Sequence, residues 1–176
     1  MAEEISVLIS EDTLDQRISE MGAQISRDYE GQEVHLICIL KGGTFFMCEL
    51  AKRITIPVSI DFMSVSSYGN STKSSGVVKI IKDLDKPLDG KNVIIVEDII
   101  DTGRTLSYLM KVLKQRNPAS IRLATMLDKP DRRVVDDVDV DYTGFEIPDE
   151  FVVGYGLDYA EKYRNLPYIG VLHMTE

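Results

Sequence analysis

The sequence predicts an α/β domain with a largely parallel central sheet flanked by helices, and a small antiparallel flap beside it. Two observations predict the sheet. Apolar strand patterns alternate with helical ones along the chain, which is typical of parallel sheets in α/β proteins. The central strands, such as 93–96, are apolar throughout, so both faces of the sheet should be buried. The flap is predicted at 57–81, where two strand patterns follow each other without a helix between them.

The first helix has the clearest pattern. Apolar residues recur at helical spacing from Leu14 to Tyr29, Ser10 can cap the N-terminus and Gly31 can end the helix, so it is predicted over 11–29. The later elements are short apolar runs or amphipathic stretches. They are predicted as a strand at 34–40, a helix at 44–53, strands at 57–65, 77–81 and 93–96, a helix around 106–113, and strands at 121–127 and near 140–145, 151–153 and 168–172.

Length, charge and cysteine content limit the class of protein. The 176 residues suit one domain, 1–176, in which the small polar residues at about 66–76 predict a flexible loop. The formal net charge of -9 argues against a nucleic-acid partner. No apolar run is long enough to span a bilayer and no secretory signal is visible, so we expect no membrane partner. Cys38 and Cys48 lie in apolar stretches and fit reduced thiols, which favours a cytoplasmic protein.

The stretch from Val93 to Thr105 has the strongest functional pattern. Four apolar residues precede Glu97 and Asp98, and two more apolar residues lead to the turn Asp101-Thr102-Gly103-Arg104-Thr105 at the start of a helix. Free N–H groups at a helix N-terminus suit a phosphate, and glycine lets the backbone approach it closely. Paired carboxylates suit sugar hydroxyls. A loop of solvated acids with a threonine cap is the alternative, and so complete a pattern disfavours it.

Two further regions are weaker signals on their own. Lys41-Gly42-Gly43 follows a strand and precedes a helix, so it can form a second anion-binding turn, although a glycine turn with a surface lysine has the same pattern. The other region follows the strand at 121–127 and runs on towards the C-terminus. There Lys129 follows the strand, Phe151 can stack on a planar ring, Asp158 can hold a metal and Arg164 can pair with a phosphate. Each of these four residues taken singly also fits an ordinary structural role.

Together these residues carry a family resemblance. The Val93–Thr105 stretch, with Lys41-Gly42, Ser67-Tyr68, Lys129 and Phe151–Asp158, closely resembles the hypoxanthine–guanine phosphoribosyltransferases of the compact bacterial type. The first stretch is shared by type I phosphoribosyltransferases in general. Two segments are specific to the hypoxanthine–guanine branch, namely Gly144-Phe145-Glu146-Ile147-Pro148 and Phe151-Val152-Val153-Gly154-Tyr155. The resemblance covers nearly the whole chain from about Val34.

The resemblance implies a fold and an activity. It implies the type I phosphoribosyltransferase fold and a magnesium-dependent enzyme of purine salvage. The reaction moves the 5-phosphoribosyl group from phosphoribosyl pyrophosphate to N9 of hypoxanthine or guanine, giving IMP or GMP and pyrophosphate. A homodimer or homotetramer is implied as well.

The resemblance also implies roles for individual residues. Asp101 corresponds to the general base at the purine N7. Phosphoribosyl pyrophosphate would be bound by Lys41, Gly42, Glu97, Asp98, Asp101, Thr102, Gly103, Arg104, Thr105 and Arg164. The purine would be bound by Lys129, Phe151, Val152 and Asp158. One Mg²⁺ would be bound by Glu97 and Asp98, and a second by Asp158. Ser67 and Tyr68 would lie in a loop that closes over the site, and the Leu40–Lys41 peptide bond is expected to be cis.

Three other functions compete with this interpretation. A non-catalytic regulator with the same fold should have a basic surface and an eroded base pocket, whereas this chain is acidic and keeps Asp101, Lys129, Phe151 and Asp158. An enzyme for adenine or a pyrimidine fits Lys129 poorly. A magnesium-dependent phosphohydrolase would use the acidic cluster, but two anion-binding turns with a stacking aromatic fit group transfer better.

Overall fold

The computed structural model describes residues 2–67 and 78–175 of the chain. The strands found there are β1 (Ala2–Ile9), β2 (Val34–Ile39), β3 (Val58–Ser67), β4 (Val78–Lys82), β5 (Asn92–Ile100), β6 (Ser120–Asp128), β7 (Tyr142–Glu146), β8 (Val152–Val153) and β9 (Ile169–Thr175). The helices are α1 (Glu11–Asp28), α2 (Thr44–Lys52) and α3 (Arg104–Lys114), with a short 3-10 helix over Pro130–Arg132. The hydroxyl of Ser10 caps α1 by accepting from the N–H of Thr13 at 3.2 Å, as predicted.

The main sheet has six strands in the order β4-β3-β2-β5-β6-β7. Strands β3, β2, β5, β6 and β7 run parallel, and β4 is antiparallel at one edge. From β2 the chain continues to β3 on one side, whereas from β5 it continues to β6 on the other. The strand order therefore reverses between β2 and β5, and in open α/β sheets ligands bind beyond the carboxyl ends of strands at such a point.

Both faces of the main sheet are buried. All six residues of β2 are buried, and alternate ones belong to different cores. Leu36 and Cys38 pack in the core that contains α1 and α2. Ile37 and Ile39 pack in the core that contains α3. The predicted class, a largely parallel sheet flanked by helices with an antiparallel part, is confirmed.

The predicted flap is an extension of the main sheet. Residues 58–63 of β3 pair with β2 in parallel, and residues 64–67 pair with β4 in antiparallel fashion. Ser66 and Ser67, which we expected in the loop, are the last residues of β3 because their backbones pair with Lys79 and Val78. The rest of the predicted loop, with Tyr68, lies outside the described residues. The closing role of Ser67 and Tyr68 stays a prediction.

A second, smaller sheet was not predicted. It has the order β1-β9-β8 and is antiparallel, with Ile5 opposite Leu172 and Val152 opposite Val171. β1 gives a weak signal in the sequence because most of its described side chains, including Glu3 and Glu4, are exposed. The strand exists through its pairing with β9. Within the described part of the chain, none of the helices has the length and hydropathy to cross a bilayer.

Candidate active site

Three chain segments meet where the strand order of the main sheet reverses. A Cβ atom placed on Gly42 would overlap the carboxylate of Asp98, so glycine is what allows the turn after β2 to lie against β5. A Cβ atom on Gly156 would overlap the carbonyl of Gly42 in the same way. Two glycines thus bring Lys41–Gly43, the acids of β5 and the segment after β8 together.

The phosphate turn, residues 101–105, lies between β5 and α3. Gly103 is the N-cap of α3 with a φ of 82°, in the left-handed region that favours glycine, and α3 begins at Arg104. The turn and Glu97 line a cavity of about 160 Å³. Glu97 and Asp98 lie within β5, because the pairing with β6 continues to Ile100 and Asp128. A helix N-terminus opens into a small cavity here, which is a general arrangement for holding a phosphate.

The segment 133–135 holds the phosphate turn in place. The N–H of Val134 donates to the carbonyl of Thr102 at 3.1 Å, and Arg133 Nε donates to the carbonyl of Asp101 at 3.3 Å. A Cβ atom on Gly103 would come within 2.7 Å of Val135 Cγ2 and 2.8 Å of Arg133 Cδ. Arg133 is itself paired with the buried Asp128 at the end of β6. The turn is therefore fixed by backbone and packing contacts.

The two acids of β5, Glu97 and Asp98, both have a raised pKa. Burial, and then the charge of Asp98, raise the pKa of Glu97 well above its usual range. Burial also raises the pKa of Asp98, while the Arg164 guanidinium partly offsets this effect and Asp158 adds to it. Carboxylates in such a position favour a compensating positive charge, so these residues can hold a cation.

Lys41, Gly42 and Arg164 form what we call the pyrophosphate cradle, after the role that the family resemblance implies for them. The Leu40–Lys41 peptide bond is cis, as expected. Arg164 donates from Nη1 to the carbonyl of Gly156 at 2.7 Å, and its Nη2 lies 3.1 Å from Asp158 Oδ1. Lys41 Nζ lies 3.1 Å from Glu161 Oε2. Two cationic side chains therefore stand beside the Gly42 turn, and each has an acidic partner.

A chain of charged side chains joins the predicted base-recognition lysine to the predicted general base. Lys129 is buried, and its Nζ lies 3.4 Å from Asp149 Oδ1. The other oxygen of Asp149 lies 3.5 Å from Arg132 Nη1, and Arg132 Nε donates to Asp101 Oδ1 at 2.9 Å. Lys129 and Asp101 thus lie on the same side of the site, at the ends of the adjacent strands β6 and β5.

Val152 begins β8, the short strand of the second sheet, and Phe151 directly precedes it. The Phe151 side chain is 53% exposed and meets Tyr159 edge to face, with ring centroids 5.8 Å apart. The carbonyl of Phe151 accepts from the N–H of Leu172 in β9, and Val152 is buried. An exposed aromatic ring held by its backbone is able to stack on a planar ligand.

The comparisons with known proteins agree with this geometry. The family profile of the phosphoribosyl transferase domain matches residues 10–160. The chain is 54% identical over 166 residues to the hypoxanthine-guanine phosphoribosyltransferase of Bacillus subtilis, across 94% of this chain and 92% of that one. The chain belongs to the hypoxanthine-guanine phosphoribosyltransferases. The recognition made from the sequence is confirmed.

Two other comparisons extend the family assignment. A crystal structure of a hypoxanthine-guanine phosphoribosyltransferase from Bacillus anthracis superimposes with a TM-score of 0.92 at 51% identity, covering 96% of this chain and 99% of that one. The chain is also 56% identical over 166 residues to the bifunctional protein TilS/HprT of Listeria monocytogenes, across 94% of this chain. It spans only 26% of the length of that relative.

Most residues predicted for this family member from its sequence come together in space. The acids of β5, the phosphate turn, the pyrophosphate cradle and Asp158 surround the point where the strand order reverses, and Lys129 is linked to Asp101 through two charged side chains. Sequence reasoning missed Arg132, Arg133, Asp149 and Glu161. Arg132 and Arg133 gave a usable signal, because two arginines lie three and four residues after Lys129, just beyond the end of β6. Asp149 and Glu161 are exposed acids in irregular segments, with no pattern around them.

Proposed function

We propose that this chain transfers the 5-phosphoribosyl group from phosphoribosyl pyrophosphate to N9 of hypoxanthine or guanine, giving IMP or GMP and pyrophosphate. The observation that carries the proposal is the contact between the Gly42 turn and Asp98. Because of this contact, the turn that contains Lys41 lies close to the end of β5, and the N-terminus of α3 follows β5. This proximity supports two anion-binding sites side by side. A substrate with a phosphate at one end of a sugar and a pyrophosphate at the other fits two such sites.

The phosphate turn and the acids of β5 are proposed to bind the ribose 5-phosphate. Gly103, Thr105 and Leu106 at the start of α3 line the cavity, and a helix N-terminus favours a negative charge. Glu97 and Asp98 are proposed to accept hydrogen bonds from the ribose hydroxyls. Lys41, Gly42 and Arg164 are proposed to hold the pyrophosphate on the other side of Asp98.

The base is proposed to lie between Phe151 and Lys129. The exposed ring of Phe151 stacks on the purine, and the backbone of Val152 binds the edge of the base. Lys129 Nζ donates to the 6-oxygen. An ammonium has only donors, so it cannot pair with the 6-amino group of adenine.

The bond to the sugar forms as pyrophosphate leaves. N9 of the base attacks the anomeric carbon, the carbon–oxygen bond to pyrophosphate breaks, and the oxygen keeps the electron pair. The proton on N7 passes to the carboxylate of Asp101, which lies at the base side of the phosphate turn. Lys41 and Arg164 neutralise the charge that grows on the leaving group, so their contribution increases towards the transition state.

Magnesium fits the residues present as a partner of the substrate. Among residues 2–67 and 78–175, no three acidic, histidine or cysteine side chains are grouped to hold a metal by themselves. Mg²⁺ usually takes one or two carboxylates together with substrate phosphates and water. Burial raises the pKa of both Glu97 and Asp98, so a cation bound beside them would stabilise their charged forms. We propose that Glu97 and Asp98 would hold one Mg²⁺ and Asp158 a second, and that the metal would supply positive charge to the departing pyrophosphate.

An assay of pyrophosphate release tests the proposal. The full chain is mixed with MgCl₂, phosphoribosyl pyrophosphate and one base at a time, namely hypoxanthine, guanine, xanthine, adenine or uracil. Release is expected with hypoxanthine and guanine and not with adenine, because opposing donors in a dry pocket cost roughly 1–3 kcal/mol or more. Efficient use of adenine would overturn the base assignment. No release with any base would overturn the activity.

We also propose a cytoplasmic homodimer or homotetramer built from single-domain chains. The support for this assembly is the family resemblance. Sedimentation equilibrium of the purified chain measures the assembly directly, and a monomer at micromolar concentration would contradict it.

A further inference from the structure

Glu161 holds the two cations that the proposed reaction assigns to pyrophosphate. Its Oε2 lies 3.1 Å from Lys41 Nζ, and its Oε1 lies 3.7 Å from Arg164 Nη2. The carboxylate of Glu161 therefore lies between the side chains of Lys41 and Arg164 and contacts both. Its two oxygens stand where an anion bound by the same pair would place its own.

The fold constrains the backbone at Glu161 within the turn formed by residues 158–164. Glu161 has a φ of 66°, in the left-handed region that non-glycine residues adopt uncommonly. Its N–H donates to Asp158 Oδ2 at 2.8 Å. Tyr163, also at positive φ, donates from its hydroxyl to Glu3 of β1, which ties the turn to the second sheet. The position of Glu161 is therefore set by several contacts that do not involve Lys41 or Arg164.

We propose that Glu161 is a positioning residue that serves as an internal substitute for pyrophosphate. In the absence of ligand it neutralises Lys41 and Arg164 and holds them in place. Pyrophosphate, free or as part of phosphoribosyl pyrophosphate, must displace it. This inference rests on the proposed function, in which the two cations bind pyrophosphate.

Exposure and charge determine whether the Glu161 carboxylate or pyrophosphate binds Lys41 and Arg164. The side chains of Lys41 and Glu161 are 66% and 70% exposed, and ion pairs of that kind are weak. A pyrophosphate carries several charges and gives up no side-chain contact of its own, so it displaces one carboxylate readily. After displacement Glu161 stays nearby and repels the ligand. Glu161 therefore lowers the affinity for pyrophosphate and favours its release after each turnover.

The test measures binding of magnesium pyrophosphate to the full chain by calorimetry, for the wild type and Glu161→Gln. Glutamine keeps the size of the side chain and removes its charge. We expect the dissociation constant of pyrophosphate and the KM of phosphoribosyl pyrophosphate to fall by about three- to tenfold, a range that matches the removal of one partly screened charge. The difference should shrink as salt is added. Glu161→Asp should restore most of the wild-type affinity.

Two controls keep the outcomes separate. Glu30→Gln removes the same charge from an exposed residue just after α1, and should leave pyrophosphate affinity unchanged. Glu161→Asn is a second variant, because asparagine tolerates positive φ well. Unchanged or weaker pyrophosphate binding in both Glu161→Gln and Glu161→Asn would overturn the inference and make the residue a mere support for the cations. A wild type that binds no pyrophosphate would also overturn it. If pyrophosphate binds but no base yields a nucleotide, only the proposed activity fails.

Discussion

The phosphate turn and the pyrophosphate cradle are proposed to bind the same chemical group, yet they are built differently. The phosphate turn is formed by backbone N–H groups, a glycine at positive φ and the packed segment 133–135. The pyrophosphate cradle is formed by two long cationic side chains, each already paired with an acid. The first has little freedom to lose on binding, whereas the second exchanges one anion for another.

The difference matches the fates of the two ligands in the proposed reaction. The 5′-phosphate is present in the substrate and in the nucleotide product, so a fixed site binds it throughout. Pyrophosphate must leave in every cycle, and side chains with alternative partners let it go. A rigid site keeps the shared group aligned while the bond at the anomeric carbon changes.

Asp101→Asn should have the largest effect, because it removes the proton acceptor and leaves the phosphate turn intact. We expect kcat to fall on the order of a hundredfold or more, with little change in the affinity for phosphoribosyl pyrophosphate. Steady-state kinetics with hypoxanthine measure both values. Asp131→Asn, an exposed acid in the neighbouring 3-10 helix, is the control. Near-normal turnover in Asp101→Asn would remove this residue from catalysis.

Gly103→Ala should weaken the binding of the substrate and of the nucleotide product to a similar extent. A methyl group at a φ of 82° is strained and crowds Val135, so the turn must shift, at a cost of roughly 1–3 kcal/mol. The dissociation constants of phosphoribosyl pyrophosphate and IMP should rise by a similar factor, about tenfold. Gly31→Ala has a comparable φ of 74° with open space around it, so it reports the backbone strain alone. A loss confined to one of the two ligands would break the comparison.

Lys41→Ala should weaken the binding of the substrate without changing the binding of the nucleotide product. It removes a cation from the pyrophosphate cradle only, so phosphoribosyl pyrophosphate and pyrophosphate should bind about five- to tenfold more weakly. IMP, which has no pyrophosphate, should bind as before. Lys52→Ala provides a matched control, because that side chain is also 66% exposed and paired with an acid. Weaker IMP binding in Lys41→Ala alone would mean that the two sites are not independent.

The smallest expected effect concerns the thiols. Burial raises the pKa of Cys38, which lies beneath Gly43, to about 12, whereas Cys48 is exposed. At pH 8 a thiol reagent should therefore modify one cysteine per chain, and phosphoribosyl pyrophosphate should not change that number. Mass spectrometry after labelling identifies the residue. Labelling of Cys38 in the native protein would show that the floor of the pyrophosphate cradle opens.

The sequence predicts the phosphate turn better than the pyrophosphate cradle for a physical reason. The turn is contiguous, because strand, acids, glycine and helix start all lie between Val93 and Thr105. The cradle joins Lys41 to residues more than a hundred positions later. Glu161 reaches it only because a turn of unusual backbone conformation folds back. No local pattern records such a contact, and the same holds for the link between Lys129 and Asp149.

The strands show the same division. Buried strands such as β2 are predictable because their apolar runs record the burial directly. β1 has no such apolar run, because most of its described side chains are exposed. Its partner β9 lies at the other end of the chain, so no local pattern predicts their pairing. The predicted limits of β3 and β5 are too short, since backbone pairing continues beyond the apolar run that predicts each strand.

The small sheet β1-β9-β8 also sets an order of events during synthesis. The phosphate turn and its packing partners lie before residue 136, so all of these residues are synthesised before β8 and β9. Phe151 and Val152 are held by β9, which the ribosome makes only at residues 169–175. A nascent chain therefore contains the whole phosphate turn before it contains the strand that holds Phe151 and Val152, the residues proposed to bind the base.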